Sequence, residues 1–564
     1  MKGMNNICCI NQKWVREPSL DPPPPENSFS RRAGFSYRGE RNVTIKLSHK
    51  KNEMKKILMM TAAAMMAAAN LTAQTAADTV YVFEADQPDV LYFLPAPPDS
   101  TSLDFVDDML QWEWSKTQRL TPRGEKASRE SMWQAEAMRK VMGEALGIDS
   151  ITDEAMPAMS RLLVKAYNTG NANAGLAKGQ GWRTSPFLMM NEHCWAQYDD
   201  EPFLAKNSSY PSGHTAFAWA TALAFAEMWP ALQDTILRRG FEFGENRVIT
   251  GADWQSDVYA GYHSAAAAIA RAHTNPELHN DIMAARAEYA KLKGLPEDYD
   301  PVEGTDVPHG EMILNNPVDT ASYRYISDVT RYWAAKPIRY TPRGKQAAHE
   351  AEYSVEMMYE VFGEAMQMTL SPQMTPAICN LIDLILDKAS ETADRLKPLR
   401  FRKRPFVQLN EPSFVAGDEE KERGKSSFPS GHTNLGWTTA LMMAEVAPDC
   451  QDEILRRGYQ YGYNRLIVGY HWATDIEATR MLSSALVARL HAAPEVQQLI
   501  ALACEEYKQV TSGIDQTPVA APSAGTTGAA DSSTATYDLQ GRRLEKAPSV
   551  PGIYITNGQK TVVK

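Results

Sequence analysis

The sequence is poor in cysteine, in basic tracts and in long apolar runs, and each shortage excludes something. Six cysteines among 564 residues are too few for a disulfide-built scaffold. Beyond residue 77 no segment reaches the ~18 uninterrupted apolar residues that a membrane-spanning helix needs; the nearest, Ala216–Leu232, is broken by Glu227 and Pro230. The formal net charge is -11, with no basic tract to offset it, which argues against nucleic acid as a partner. Strand-like alternation and hairpin dipeptides are scarce before residue 537, and no cluster of residues with metal-ligand spacing is evident.

What is present is helical periodicity, and it occurs twice. Ser128–Leu146, Ala216–Ala231, Gln255–His273 and their later counterparts carry apolar residues at three- and four-residue spacing. Thr121-Pro122-Arg123-Gly124 recurs as Thr341-Pro342-Arg343-Gly344, an offset of 220. Ser209–Thr215 recurs as Ser427–Thr433, and Ile236–Gly240 as Ile454–Gly458, each at an offset of 218. The chain therefore reads as all-α, two tandem helical bundles built by duplication of one domain. The division expected is 78–300 and 301–510, with the boundary in the Gly- and Pro-rich stretch Lys293–Asn316.

Three blocks in the second copy form a constellation suited to phosphate: Lys397-x6-Arg404-Pro405, Pro429-Ser430-Gly431-His432, and Arg465-x5-His471-x3-Asp475. Lys397, Arg404 and Arg465 supply charge and donors for a doubly charged anion. Ser430 and Gly431 open an apolar helical run, so their backbone N–H groups are expected to point at an anion. In this order and spacing the blocks resemble the phosphatidic acid phosphatase type 2 superfamily. The closest subgroup is the bacterial class A non-specific acid phosphatases, with Ser427–Thr433 as the most telling string; Asn464 departs from the pattern, standing where a Ser often precedes the Arg.

The resemblance implies a helical fold and a phosphomonoesterase without metal or other cofactor, fully active in a chelator. His471 would be the nucleophile that becomes phosphohistidine, Asp475 would orient its imidazole, and His432 would protonate the leaving alcohol. Lys397, Arg404, Arg465 and the Ser430 and Gly431 amides would hold the phosphoryl oxygens. Vanadate is then expected as an inhibitor. One alternative is a vanadium-dependent haloperoxidase, in which vanadate would be the cofactor at the same site; another is a surface protein that binds phosphorylated ligands without turnover. Small phosphorylated substrates are the expected partners.

The first copy keeps Lys178, Ser212, Gly213, His214, Arg247 and Asp257 at the matching positions, but Ser185 replaces Arg404 and Asp253 replaces His471. Counted from these residues alone, its pocket holds two cations against Asp253 and Asp257, and a phosphate dianion would meet a carboxylate where it needs a nucleophile. The first copy is expected to be a degenerate site packed on the second as a built-in dimer partner, or a site for something less anionic.

The ends read differently. Residues 1–53 lack periodicity and are read as an upstream misannotation. Residues 54–77, with Met54-Lys55-Lys56, an apolar run and small residues near Ala73–Ala77, read as a signal peptide. Residues 511–536 read as a linker. Residues 537–564 read as a short β tail with an Asn557-Gly558 hairpin signal. That tail resembles the sorting domains of type IX secretion substrates, which implies export, to the periplasm or onward to the cell surface or medium, with secretion machinery as a partner. In such a compartment Cys194, Cys379, Cys450 and Cys504 are candidates for pairing.

Overall fold

The computed structural model describes residues 79–513 apart from 132, 197–200, 297–298, 416 and 418, together with the backbone of four short strands between 536 and 563. The N-terminal extension, the signal-peptide segment, most of the linker and the two hairpin residues Asn557 and Gly558 lie outside the described residues.

Six longer helices build each repeat. In the first they are α1 (Phe105–Arg119), α2 (Pro157–Gln180), α3 (Gly213–Met228), α4 (Gln233–Thr250), α5 (Gln255–Ala272) and α6 (Pro276–Leu292). In the second they are α7 (Tyr323–Ala335), α8 (Pro376–Leu399), α9 (Gly431–Val446), α10 (Gln451–Ile467), α11 (Ala473–His491) and α12 (Pro494–Thr511). The strands β1 (Thr536–Tyr537), β2 (Arg543–Leu544), β3 (Gly552–Thr556) and β4 (Gln559–Val563) form an antiparallel sheet in the order β2-β1-β3-β4. Thr556 pairs with Gln559, the register of a two-residue connection.

The middle helix of each repeat explains the bundle. Every residue of α3 is buried, as are all of α9 except Gly431 and His432, and both are rich in small and apolar side chains. A helix apolar on all sides must be surrounded. α3 is enclosed by α2, α4 and α5, and α9 by α8, α10 and α11. Close approach requires glycine in places: a Cβ on Gly458 would lie 2.2 Å from the Ala440 Cβ, and one on Gly240 2.4 Å from the Ala222 Cβ.

Among the described residues no helix is long and apolar enough to cross a membrane. The single helix expected over Ser128–Leu146 is instead two, Pro122–Arg129 and Ala135–Ala145. The break has a use: the Ser131 carbonyl turns towards His214, and in the second repeat the Ala351 carbonyl turns towards His432. Of the four cysteines expected as pairing candidates, none is bonded to another. Three of the thiols face other groups, Cys194 the Thr250 carbonyl, Cys379 the Thr375 hydroxyl and Cys450 the Tyr507 hydroxyl.

The two repeats share one apolar core, with α3 against α11 and α5 against α9. Trp219 donates its indole N–H to the Ser484 hydroxyl at 3.1 Å, and His263 meets Glu477 at 2.9 Å. The arms that precede each bundle are exchanged. Asp89 of the first repeat donates its amide to Asp452 of the second at 2.8 Å, and His309 of the second donates its amide to Asp234 of the first at 2.9 Å.

Candidate active site

Local chain geometry brings the three blocks of the second repeat together. Ser430 is the N-cap of α9, its hydroxyl accepting the Thr433 amide at 3.3 Å. The α10–α11 turn passes through Gly469 at φ +85°, a region that favours glycine, and a Cβ there would lie 2.5 Å from an Arg339 guanidinium nitrogen. That turn folds Tyr470 and His471 back over the end of α10, where both amides donate to the Arg465 carbonyl, at 3.0 and 3.2 Å. Arg404 and Pro405 begin a four-residue helix beside it.

The product is a cavity of about 420 Å³ whose lining includes Tyr353, Lys397, Arg404, Gly431, His432, Arg465 and His471. The His471 Nδ1–H donates to the Ser427 carbonyl at 2.6 Å, and Nε2 lies 3.0 Å from the Arg404 Nη1. A guanidinium only donates, so Nε2 presents a lone pair. His432 Nε2 donates to the Ala351 carbonyl at 2.8 Å, which leaves Nδ1 as its remaining nitrogen. Both histidines are pushed well below the usual imidazole range, His432 by burial and then Arg465, His471 by burial and then Arg404 and Arg465. Arg465 itself is lowered to about 10 by burial and the neighbouring Arg404. Its Nε and Nη1 are buried with no hydrogen-bond partner, as is the Arg404 Nε. Lys397 lies 2.9 Å from Asp394.

Three expectations need correction. Asp475 does not orient the His471 imidazole. It is the third residue of α11, so its carboxylate folds back to accept the Trp472 amide at 3.0 Å, and its other oxygen takes the Arg402 Nη1 at 2.6 Å. The Ser427 carbonyl has the orienting place instead. Second, the Ser430 amide is not aimed at the cavity: it donates to the Thr479 hydroxyl at 3.0 Å. Third, the charge count of the first pocket changes, because Asp257, like Asp475 in the second, is spent on an arginine left out of it. Glu422, from the loop before Ser427, also enters the second cavity and accepts the Arg404 Nη2 at 2.6 Å.

Those arginines belong to a network present in both repeats. Arg402 bridges Asp475 and Asp328 at 2.6 Å each, and Asp328 also accepts the Thr474 amide and hydroxyl. In the first repeat Arg183 bridges Asp257 and Asp108, at 2.5 Å each, and Asp108 accepts the Ser256 amide and hydroxyl. Burial lifts both Asp475 and Asp257 to about 6 despite these arginines. The signal for Arg402 was its match to Arg183: a residue kept in a copy that has lost Arg404 and His471 serves the fold.

The first repeat has a cavity of the same size, about 420 Å³, lined in part by Trp133, Lys178, Ser185, Gly213, His214, Arg247 and Asp253. Its chemistry is closed on itself. Asp253 accepts the Arg247 Nε–H at 3.0 Å and the Ser212 hydroxyl at 2.8 Å. Lys178 donates to the Ser208 carbonyl. With Asp257 taken by Arg183, two cations there face one carboxylate rather than two.

The PAP2 superfamily model matches residues 175–278 and 377–497, one stretch in each repeat. Over 199 residues the chain is 36% identical to the non-specific acid phosphatase of Providencia stuartii, covering 35% of this chain and 80% of that one. It is 35% identical over 189 residues to the non-specific acid phosphatase of Salmonella typhimurium, covering 33% of this chain and 75% of that one. An acid phosphatase of Zymomonas mobilis is 30% identical over 198 residues, covering 35% and 75%.

Proposed function

The chain belongs to the PAP2 superfamily and is a phosphoric monoester hydrolase, and we propose that its second repeat works through a phosphohistidine on His471. The observation that supports this is the Nε2 lone pair of His471, directed at the Arg404 guanidinium by the Nδ1–H bond to Ser427. A neutral imidazole fixed in that tautomer is a nucleophile that needs no base to activate it.

The steps balance on this chain's own groups. Nε2 forms a bond to phosphorus as the bond to the leaving oxygen breaks, and protonated His432 gives its Nδ1 proton to that oxygen. Neutral His432 then takes a proton from water, whose oxygen displaces Nε2 and releases phosphate. Arg404, Arg465, Lys397 and the Gly431 amide offset the charge on the phosphoryl oxygens. The unpartnered Arg465 and Arg404 donors are the groups with hydrogen bonds still to make. No step calls for a metal, and vanadate is expected to compete for the same donors.

The first repeat acts as a fixed dimer partner, a reading supported by the shared core and the exchanged arms. Export is supported by the sequence of residues 54–77 and of the β tail.

The test is phosphate release from p-nitrophenyl phosphate by the full chain, by His471→Ala and by Asp253→Ala, with acid-labile phosphate trapped by rapid quench. Turnover is expected in the wild type and Asp253→Ala, with a loss above about 10³-fold in His471→Ala. Retained activity and trapped phosphate in His471→Ala would rule the assignment out.

A further inference from the structure

Where the two repeats meet, each contributes one glutamate and one histidine from matching positions, the histidine 46 positions after the glutamate in both. Glu227 of α3 pairs with His273 at the end of α5, Nε2 to Oε2, at 2.8 Å. Glu445 of α9 pairs with His491 at the end of α11, Nε2 to Oε2, at 2.7 Å. The two imidazoles stack across the seam with centroids 3.7 Å apart. All four side chains are at least nine-tenths buried, with exposures of 2–9%.

One ring nitrogen, His273 Nδ1, is buried without a partner, and a second, His491 Nε2, is held against a carboxylate oxygen. His491 Nδ1–H donates to the Val487 carbonyl at 2.9 Å, so in the neutral ring Nε2 turns a lone pair towards a carboxylate oxygen. That contact needs something positive between the two atoms: a proton in the metal-free chain, where, despite burial, Glu445 pushes His491 up to about 9, or a metal ion in its place. His273, donating Nε2–H to Glu227, keeps a buried Nδ1 without any partner. One ligand atom from each of His273, Glu445 and His491 lies within 4.8 Å of the other two. Donors around a zinc ion sit about 3.3 Å apart at ordinary bond lengths, so the 2.7 Å pair of Glu445 and His491 has to open and His273 has to turn towards them. The outer contacts also fit, since metal-bound histidines pass their other N–H to a carbonyl or carboxylate; Val487 and Glu227 occupy those places. The Arg286 guanidinium donates to the main-chain carbonyls of Glu227 and Met228 rather than to either carboxylate.

We infer that His273, Glu445 and His491 form a binding site for one divalent ion of the zinc type, which staples the two repeats together. Its nitrogen–oxygen donor set matches zinc rather than calcium or magnesium. It is distinct from the phosphate cavity: Glu445 lies fourteen residues along α9 from Gly431, roughly 20 Å at 1.5 Å per residue. The ion would bind the folded chain and not the unfolded one, and so would raise its melting temperature.

The test uses the full chain, stripped with a chelator and then supplied with zinc chloride alone, with Tm and bound metal measured beside Glu445→Gln. The near-isosteric variant is compared with its own zinc-free form, so a lowered baseline does not confuse the result. Expected are about one zinc per wild-type chain, a Tm increase of several degrees on adding it, and neither in Glu445→Gln. Turnover at 25 °C should be unchanged by stripping. An unchanged wild-type Tm would mean that a proton on His491 fills the gap. An equal rise in Glu445→Gln would place the zinc elsewhere, and loss of turnover at 25 °C would place it in the phosphate cavity; each of these three results overturns the site.

Discussion

The Arg404 Nη1 lies 3.0 Å from the His471 Nε2, and the same nitrogen donates to the Tyr470 carbonyl at 3.1 Å. One guanidinium thus holds both His471, the proposed nucleophile, and the turn that carries it. Lysine cannot span those acceptors while reaching Glu422 with a second nitrogen. Arg404→Lys is therefore expected to lower kcat by about 10²-fold, a larger loss than a simple weakening of substrate binding would give. Steady-state kinetics that show only a raised KM would contradict this.

The depressed histidines set the pH dependence. His432 must carry a proton to serve as acid, yet burial and Arg465 favour its neutral form. In the free enzyme the protonated form grows only as pH falls below the ordinary imidazole value of about 6.5. The expected kcat/KM therefore rises from pH 7 towards pH 5. A bound phosphate dianion offsets Arg465, Arg404 and Lys397, so the kcat profile should lie at higher pH than that of kcat/KM. A rate still climbing above pH 9 would remove His432 from the role.

The same shifts act on stability in the opposite direction. Below about pH 6.5 the unfolded chain takes up protons at these two histidines and the native chain does not. Their contribution to stability is complete above that pH and declines as pH falls through it. Asp475 and Asp257, lifted by burial, act in the opposite sense over the same range, so the test is a difference: between pH 7 and pH 5 the urea midpoint of His432→Ala should fall less, or rise more, than that of the wild type.

Glu422 occupies an Arg404 nitrogen that a bound phosphoryl group would need, and, despite burial, Lys425 and Arg404 hold its carboxyl below the usual range. Glu422→Gln removes that charge with little change of shape. Inhibition by orthophosphate and by orthovanadate should tighten by about 3- to 10-fold, the scale of one partly exposed ion pair. Unchanged inhibition constants would show that Glu422 swings clear whenever an anion enters.

The duplicated arginine network allows an internal control. Asp328→Asn and Asp108→Asn each leave a buried arginine short of a partner, which costs about 3–5 kcal/mol. Only Asp328 braces the helix start next to His471. Both variants should unfold at lower urea, and only Asp328→Asn should lose kcat.

The sequence made the bundle legible because helical periodicity and a near-constant offset survive without any knowledge of contacts. The phosphate residues were legible for a related reason: short spacers within three blocks keep Lys397, Arg404, Gly431, His432, Arg465 and His471 together in print as in space. What escaped was set by tertiary approach. Arg402 stood inside a spacer, and its partner Asp328 lies 74 residues earlier. Asp475, three residues into its helix, caps that helix instead of reaching His471. The seam histidines stand 46 residues from their glutamates, a distance no local pattern records.

The exchanged arms bear on what happens if the backbone is cut. Between Leu292 and Gly310 the described residues contain no helix, and the arm that follows rests on the first repeat through His309 and Asp234. The first repeat's own arm rests on the second through Asp89 and Asp452. A protease nick in that stretch would sever the polypeptide without freeing either half. The fragments would travel as a one-to-one heterodimer through a sizing column and run as two bands only on a denaturing gel.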